Sequence, residues 1–166
     1  MNQHNILGID IGNVITAGGN EIFNINFLET KQMPGAFEMI KKLVAHFDRA
    51  HVWLVSKCGE RTEQRTKQWL ESYGFYESTG VARGHVLFCR ERHEKAPICK
   101  WIGITHFIDD RLEVLSHISR ITPTPKGLYL FKPLPKEVER FREFLPKVTR
   151  VESWEEVGTH ILGNRG

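Results

Sequence analysis

The sequence predicts an α/β protein with a three-layer α/β/α, doubly wound, mainly parallel, Rossmann-like sheet. Two observations carry this. Short apolar runs alternate with helical patterns from end to end, and the runs are continuously hydrophobic, as in parallel strands covered on both faces. A third sets the scale: 166 residues, 40% hydrophobic and 10% aromatic, suit one domain with a sizeable core.

Asn5 to Asp10 reads as a buried strand that stops at a carboxylate. Phe37, Ile40, Lys41, Val44 and Phe47 mark an amphipathic helix starting near Pro34, a good first-turn residue. His51–Val55 is a second strand, ended by Ser56. Glu60 to Tyr73 is helical, with Trp69, Leu70 and Tyr73 on its apolar side and Gly74 as its stop. Val86–Cys89 is a third strand, and Lys95 to Ile102 a short helix closed by Gly103. Thr105–Ile108 is a fourth strand, ending at Asp109 and Asp110, and Leu128–Phe131 a fifth. Val138–Leu145 and Trp154–Leu162 read as closing helices, and Trp69 and Trp101 as core residues on apolar helix faces. No repeat, low-complexity segment or linker divides the chain.

No run approaches 18 apolar residues, so no membrane span is expected. The first residues carry no basic region ahead of the apolar run, so a cleaved secretory signal is not expected either. Cys58, Cys89 and Cys99 form an odd set without C-x-x-C spacing and read as reduced thiols of a cytoplasmic protein. A zinc site from Cys89, His93 and Cys99 lacks both a usual spacing and a fourth ligand.

Asp10 follows the first strand, Ser56 the second, and Asp109 with Asp110 the fourth. Ligands of open parallel sheets bind at the carboxyl ends of strands, where strand order reverses. Three carboxylates collected there repel one another unless a cation sits among them, and an all-oxygen set favours magnesium. Taken singly, each is an ordinary helix cap or turn residue; the ordered set is harder to dismiss.

Ile6-Leu7-Gly8-Ile9-Asp10-Ile11-Gly12-Asn13-Val14 resembles the first motif of the haloacid dehalogenase (HAD)-like superfamily. Val52–Ser56 resembles its second motif, Lys95 sits where the third places a lysine, and Phe107–Asp110 resembles the acidic fourth. The resemblance spans about residues 5 to 132. It implies that Asp10 is a nucleophile forming an aspartyl-phosphate, that Ser56 bonds the transferring phosphoryl group, and that Lys95 offsets its charge. It implies a magnesium site of Asp10, Asp109, Asp110 and the Gly12 carbonyl, and substrate contacts from Gly12, Asn13, Ser56, Lys57 and Lys95.

The departure is Gly12, where phosphatases of the family usually have an Asp acting as acid on the leaving group and base on water. General acid–base help is typically worth about 10²–10⁴-fold. His85, His93 and Glu94 are candidate stand-ins, each also readable as a surface residue. Lys100 rivals Lys95, but Lys95 falls nearer the strand-end face. Arg111, directly after the aspartates, pairs with one of them or serves the site.

Members of this family carry a cap domain in one of two places. Only 23 residues separate Asp10 from Pro34, where Val14 to Phe27 reads as a small β flap turning at Thr16–Asn20. The 38 residues from Lys57 to Glu94 are filled by a helix and a strand. The expectation is a single capless domain over 1–166 with a flap at about 14–27. An uncovered site suits an anionic phosphate substrate, macromolecular or nucleotide, or a lid from a second subunit. Residues 81–101 carry a positive excess of three, equal to the whole chain's +3; no stacking motif or nucleic-acid-binding module accompanies it. The leading expectation is a magnesium-dependent phosphohydrolase. The alternative is a weak or inactive binding or regulatory protein, and carbon–halogen or carbon–phosphorus cleavage ranks last.

Overall fold

The computed structural model describes residues 4–18 and 26–163. Strands β1 (Leu7–Ile9), β2 (Val52–Lys57), β3 (Val86–Cys89), β4 (His106–Asp109), β5 (Gly127–Phe131) and β6 (Thr149–Val151) form one sheet. Their order is β3-β2-β1-β4-β5-β6, with every neighbouring pair parallel. The helices are α1 (Ala36–Phe47), α2 (Glu60–Ser72), α3 (Phe75–Thr79), α4 (Lys95–Ile102), α5 (Leu112–Ile118), α6 (Pro135–Arg140) and α7 (Trp154–Leu162). Strand order runs outward from β1 through β2 to β3, then restarts at β4 on the other side of β1. The switch point between β1 and β4 is where such sheets open a crevice.

Alternation along the strands builds two cores. Leu7, Ile9, Val52, Leu54, Ile108, Tyr129 and Phe131 pack with α1, α2, α3 and α7, around Phe37, Trp69, Phe75 and Trp154. Val55, Phe107, Leu128 and Leu130 pack on the other face with Cys99 of α4 and Leu112, Leu115 and Ile118 of α5. Both faces of each inner strand are thus buried, which is why the strands read as continuous apolar runs. Gly8 belongs to the second face, where the Phe107 ring lies across β1. A Cβ at Gly8 would stand 2.5 Å from that ring and 2.9 Å from Ile104, too close for any side chain.

Several expectations change. The five expected strands are six: β6 has three residues, of which only Val151 is buried, too little to show a pattern. The short helices α3 and α5 were not foreseen either. The expected helix over 138–145 is α6, ending at Arg140, followed by a 3-10 turn over Arg142–Lys147. Pro146 lacks an amide hydrogen and its ring crowds the carbonyl four residues back, so an α-helix cannot run through this segment. α1 begins at Ala36, two residues after Pro34, following Gly35 in the left-handed region (φ 77°). Trp69 is fully buried, but Trp101 is 77% exposed. α4 buries Lys95 and Cys99, one turn apart, and Trp101 lies on the opposite side of the helix.

Half of the flap expected at about 14–27 falls on residues 19–25, which lie outside the described residues. On either side of that stretch the Ala17 amide donates to the Lys31 carbonyl (2.8 Å) and the Met33 amide to the Ile15 carbonyl (2.7 Å). The interval between Lys57 and Glu94 holds α2, α3 and β3. Among the described residues, no helix is long and apolar enough to cross a membrane.

Candidate active site

Register brings the acidic residues together. Ile9 pairs with Leu54 on β2 and with Ile108 on β4. The next residue, Asp10, therefore comes level with Asp109, and its amide continues the ladder by donating to the Ile108 carbonyl (2.9 Å). Asp10 and Asp109 share strand parity with Gly8 and Phe107, so their side chains fall on the α4 side of the sheet. α4 opens there with Lys95, whose Nζ donates to Asp10 Oδ1 at 2.9 Å and to Asp109 Oδ2 at 2.8 Å. Lys95 is 2% exposed and Asp109 1%. The ammonium lies 5.8 Å from the centre of the Phe107 ring.

Of the two lysines weighed, Lys95 lies beside the aspartates, whereas Lys100 is exposed and has no ion pair among the described residues. Asp109 spends its other oxygen accepting from the Arg111 amide (2.9 Å). Asp110 is partly buried, and the Asn13 amide group approaches its Oδ2 at 3.5 Å. Asn13 adopts a left-handed backbone (φ 61°), which asparagine tolerates. The loop around it is wound tightly, with the Ile11 carbonyl accepting from the amides of Val14, Ile15 and Thr16.

One ligand oxygen from each of Asp10, Asp109 and Asp110 can be placed within 4.8 Å of the others, and this group could hold a metal ion. Lys95 supplies only one positive charge against three carboxylates, and the donor set is hard oxygen, which suits a divalent cation. The titration of the aspartates reflects the same imbalance. Burial, then repulsion from Asp10, pushes Asp109 up to about 6 against the pull of Lys95. Burial and the charges of Asp10 and Asp109 push Asp110 up to about 9. Burial opposes the charge of Lys95, but attraction to Asp10 and Asp109 prevails and holds its pKa above the ordinary lysine value.

A sign follows for the metal-free protein. Carboxyls whose folded pKa is raised bind protons more tightly folded than unfolded, so their contribution to stability falls as pH rises from the ordinary carboxylate range through these values. A bound divalent cation replaces those protons. The gain in melting temperature on adding magnesium is therefore expected to be larger at pH 9 than at pH 6, read by thermal unfolding at both. An equal gain at the two pH values would contradict it.

Asp10, Gly12, Asn13, Ser56, Lys57, Lys95, Asp109 and Asp110 all line one cleft of about 200 Å³. Thr66, which the sequence did not single out, lines it too, as do Arg92, read only as part of the basic stretch 81–101, and Arg111, which was left open. Thr66 is a buried polar residue on the inward side of α2, and Arg92 sits in the 3-10 turn leading into α4. The three stand-ins for a proton donor stay outside the lining. His85 stacks on Trp53 at 3.7 Å. Glu94 forms the capping box with Glu91, and His93 is exposed. The three cysteines are free thiols, all buried. Most of the positive excess in 81–101 is consumed by ion pairs: Arg83 with Glu71 and Glu77, Arg90 with Glu63, Arg92 with Glu113, and Lys95 with the aspartates.

No protein-family model and no curated protein matches the sequence. Solved structures do. The HAD domain of effector protein Lem4 from Legionella pneumophila, as an inactive mutant, matches at TM-score 0.52 and 13% identity, covering 98% of this chain and 95% of that one. A haloacid dehalogenase-like hydrolase from Burkholderia xenovorans LB400 matches at TM-score 0.54 and 14% identity, covering 82% of this chain. The chain has the HAD-like fold. DsGPDH of Dunaliella salina also matches, at TM-score 0.59 and 14% identity over 93% of this chain. The chain spans 28% of the length of the Dunaliella structure and 61% of the Burkholderia one. At such identities the likeness concerns the fold, and the chemistry has to be argued from the cleft itself.

Proposed function

We propose that this chain is a magnesium-dependent phosphohydrolase working through an aspartyl-phosphate on Asp10. The observation that carries the reading is the Lys95 ammonium, buried and shared between Asp10 and Asp109 at the switch point of the sheet. Asp10, Asp109, Asp110 and the Gly12 carbonyl would hold the magnesium, which supplies positive charge to the carboxylates and the phosphate oxygens. An Asp10 carboxylate oxygen attacks phosphorus as the bond to the leaving oxygen breaks, and water then cleaves the acyl phosphate to release orthophosphate and restore Asp10. Ser56 donates to a phosphoryl oxygen, while Lys95 steers Asp10 and offsets charge in the transition state. The site would lie in one capless domain of a cytoplasmic protein and act on an anionic phosphate monoester. Release of phosphate from 4-nitrophenyl phosphate with magnesium, abolished by EDTA, tests this; no release with magnesium present overturns it.

Gly12 favours a second reading, a binding or regulatory protein that kept the fold. Apart from the aspartates, no carboxyl or imidazole group among the described residues lines the cleft to protonate a leaving group. Under the first reading, leaving groups of low pKa turn over best. Gly12→Asp is then expected to raise kcat on an alkyl phosphate about tenfold, part of what a general acid supplies, with little gain on 4-nitrophenyl phosphate. Equal gains on the two substrates would argue against a missing acid.

A further inference from the structure

Two guanidinium groups at the cleft have no part in the chemistry assigned above. Arg92 enters from the turn after β3, and Arg111 directly follows the aspartate pair at the end of β4. Neither is loose. Arg92 Nη1 donates to Glu113 Oε2 at 2.9 Å. Arg111 Nη1 lies 3.8 Å from Glu137 Oε2, longer than a hydrogen bond. Glu137 also accepts from the Glu113 amide (3.2 Å), so the two glutamates form one support beside the two arginines. Arg92 retains unspent donor capacity: its Nε is buried without a hydrogen-bond partner, the only such side-chain atom among the described residues. Lys95, by contrast, gives two of its three donors to Asp10 and Asp109.

The reactive phosphoryl group calls on Ser56, Lys95 and the cation. That leaves the guanidinium groups of Arg92 and Arg111 at the cleft, each beside a glutamate, Glu113 or Glu137, and a guanidinium fork matches the planar or tetrahedral oxygens of a second anion. We infer that the cleft selects phosphate monoesters carrying a second anionic group, a carboxylate or another phosphate, and that Arg92 and Arg111 receive it. This rests on the phosphohydrolase reading for the place of the first phosphate. It makes the two arginines specificity-determining residues rather than catalytic ones. Glu113 then opposes ligand binding, because it competes for the Arg92 fork.

The test uses phosphonates, which a phosphate-ester hydrolase leaves intact. Propylphosphonate, 3-phosphonopropionate and propane-1,3-diphosphonate are titrated calorimetrically into the magnesium-loaded protein. The wild type is expected to bind at least one of the two doubly anionic ligands about tenfold tighter than propylphosphonate, and which one identifies the second group. Arg92→Met and Arg111→Met should each lower that preference several-fold. Glu113→Gln, which frees the Arg92 fork, should raise it, a sign that a merely structural role for Arg92 does not give. Equal affinities for the three ligands, no binding of any, or a preference surviving both arginine substitutions overturns the inference. Binding preference without turnover of any phosphate ester would instead refute the phosphohydrolase and leave the two-anion cleft standing.

Discussion

Asp10→Asn is expected to bring phosphate release below about 10⁻³ of the wild-type rate, as losses of a covalent nucleophile do, while the protein stays folded. The two effects separate because the side chains are the same size and share an acceptor. Lys95 Nζ, now 2.9 Å from Asp10 Oδ1, keeps a hydrogen bond to a carboxamide oxygen, so the buried ammonium is not orphaned. What disappears is the nucleophile, since a neutral amide oxygen forms no stable acyl phosphate. One charge also leaves a crowded group. Repulsion from Asp10 is the second cause, after burial, that raises the pKa of Asp109, so in the variant that pKa should move back towards the ordinary carboxylate range. The metal-free variant should therefore melt no lower than the metal-free wild type. Phosphate release and thermal unfolding, measured on the same preparations, check both halves. A variant retaining a tenth of wild-type turnover would remove Asp10 from the reaction, and an unfolded one would leave the loss without mechanistic meaning.

Asp10 could be read from the sequence because an inner strand of a doubly wound sheet is apolar on both faces, so its first polar residue marks its end. Ser56, one residue before the end of β2, and Asp109 with Asp110, at the end of β4, likewise follow apolar runs. Lys95 was legible as the first residue of a helix aimed at those ends, and its burial beside them separates it from Lys100. What stayed hidden depends on distance in the chain. Charge counting gathers Arg83, Arg90 and Arg92 into one basic stretch, yet Glu71, Glu77, Glu63 and Glu113 neutralise them from α2, α3 and α5. Arg92 shows its place at the cleft only once the turn after β3 is folded against α5. α3 and α5, at five and seven residues, are too short to display a helical period. Their existence depends on packing, since isolated helices of that length are unstable. Trp101 failed for another reason: α4 is so short that a single turn of phase decides which side is buried.

Lys95→Met should strongly destabilise the metal-free fold. The ammonium is buried, and it alone among the described cleft residues hydrogen-bonds both Asp10 and Asp109. A methionine fills much of the same space, so packing against Phe107 is largely kept and the loss is electrostatic. Removing one partner of a buried ion pair leaves uncompensated charge and costs about 3–5 kcal/mol. For a chain of this size that is a fall of roughly 10 °C in melting temperature. The pH dependence has a definite sign. Lys95 has a raised folded pKa, so its contribution is fully present below the ordinary lysine value and is lost only above it. Without it, Asp109 loses the cation that restrains its already raised pKa, and the folded variant holds its protons still more tightly. The deficit should accordingly be smaller at pH 5, where a proton occupies the carboxyl, than at pH 8. Magnesium should recover part of it at pH 8, because a divalent cation among the three aspartates replaces the missing charge. Chemical denaturation at the two pH values, with and without magnesium, measures all of this. A variant as stable as wild type at pH 8 without metal would mean that Lys95 does not hold the two carboxylates together.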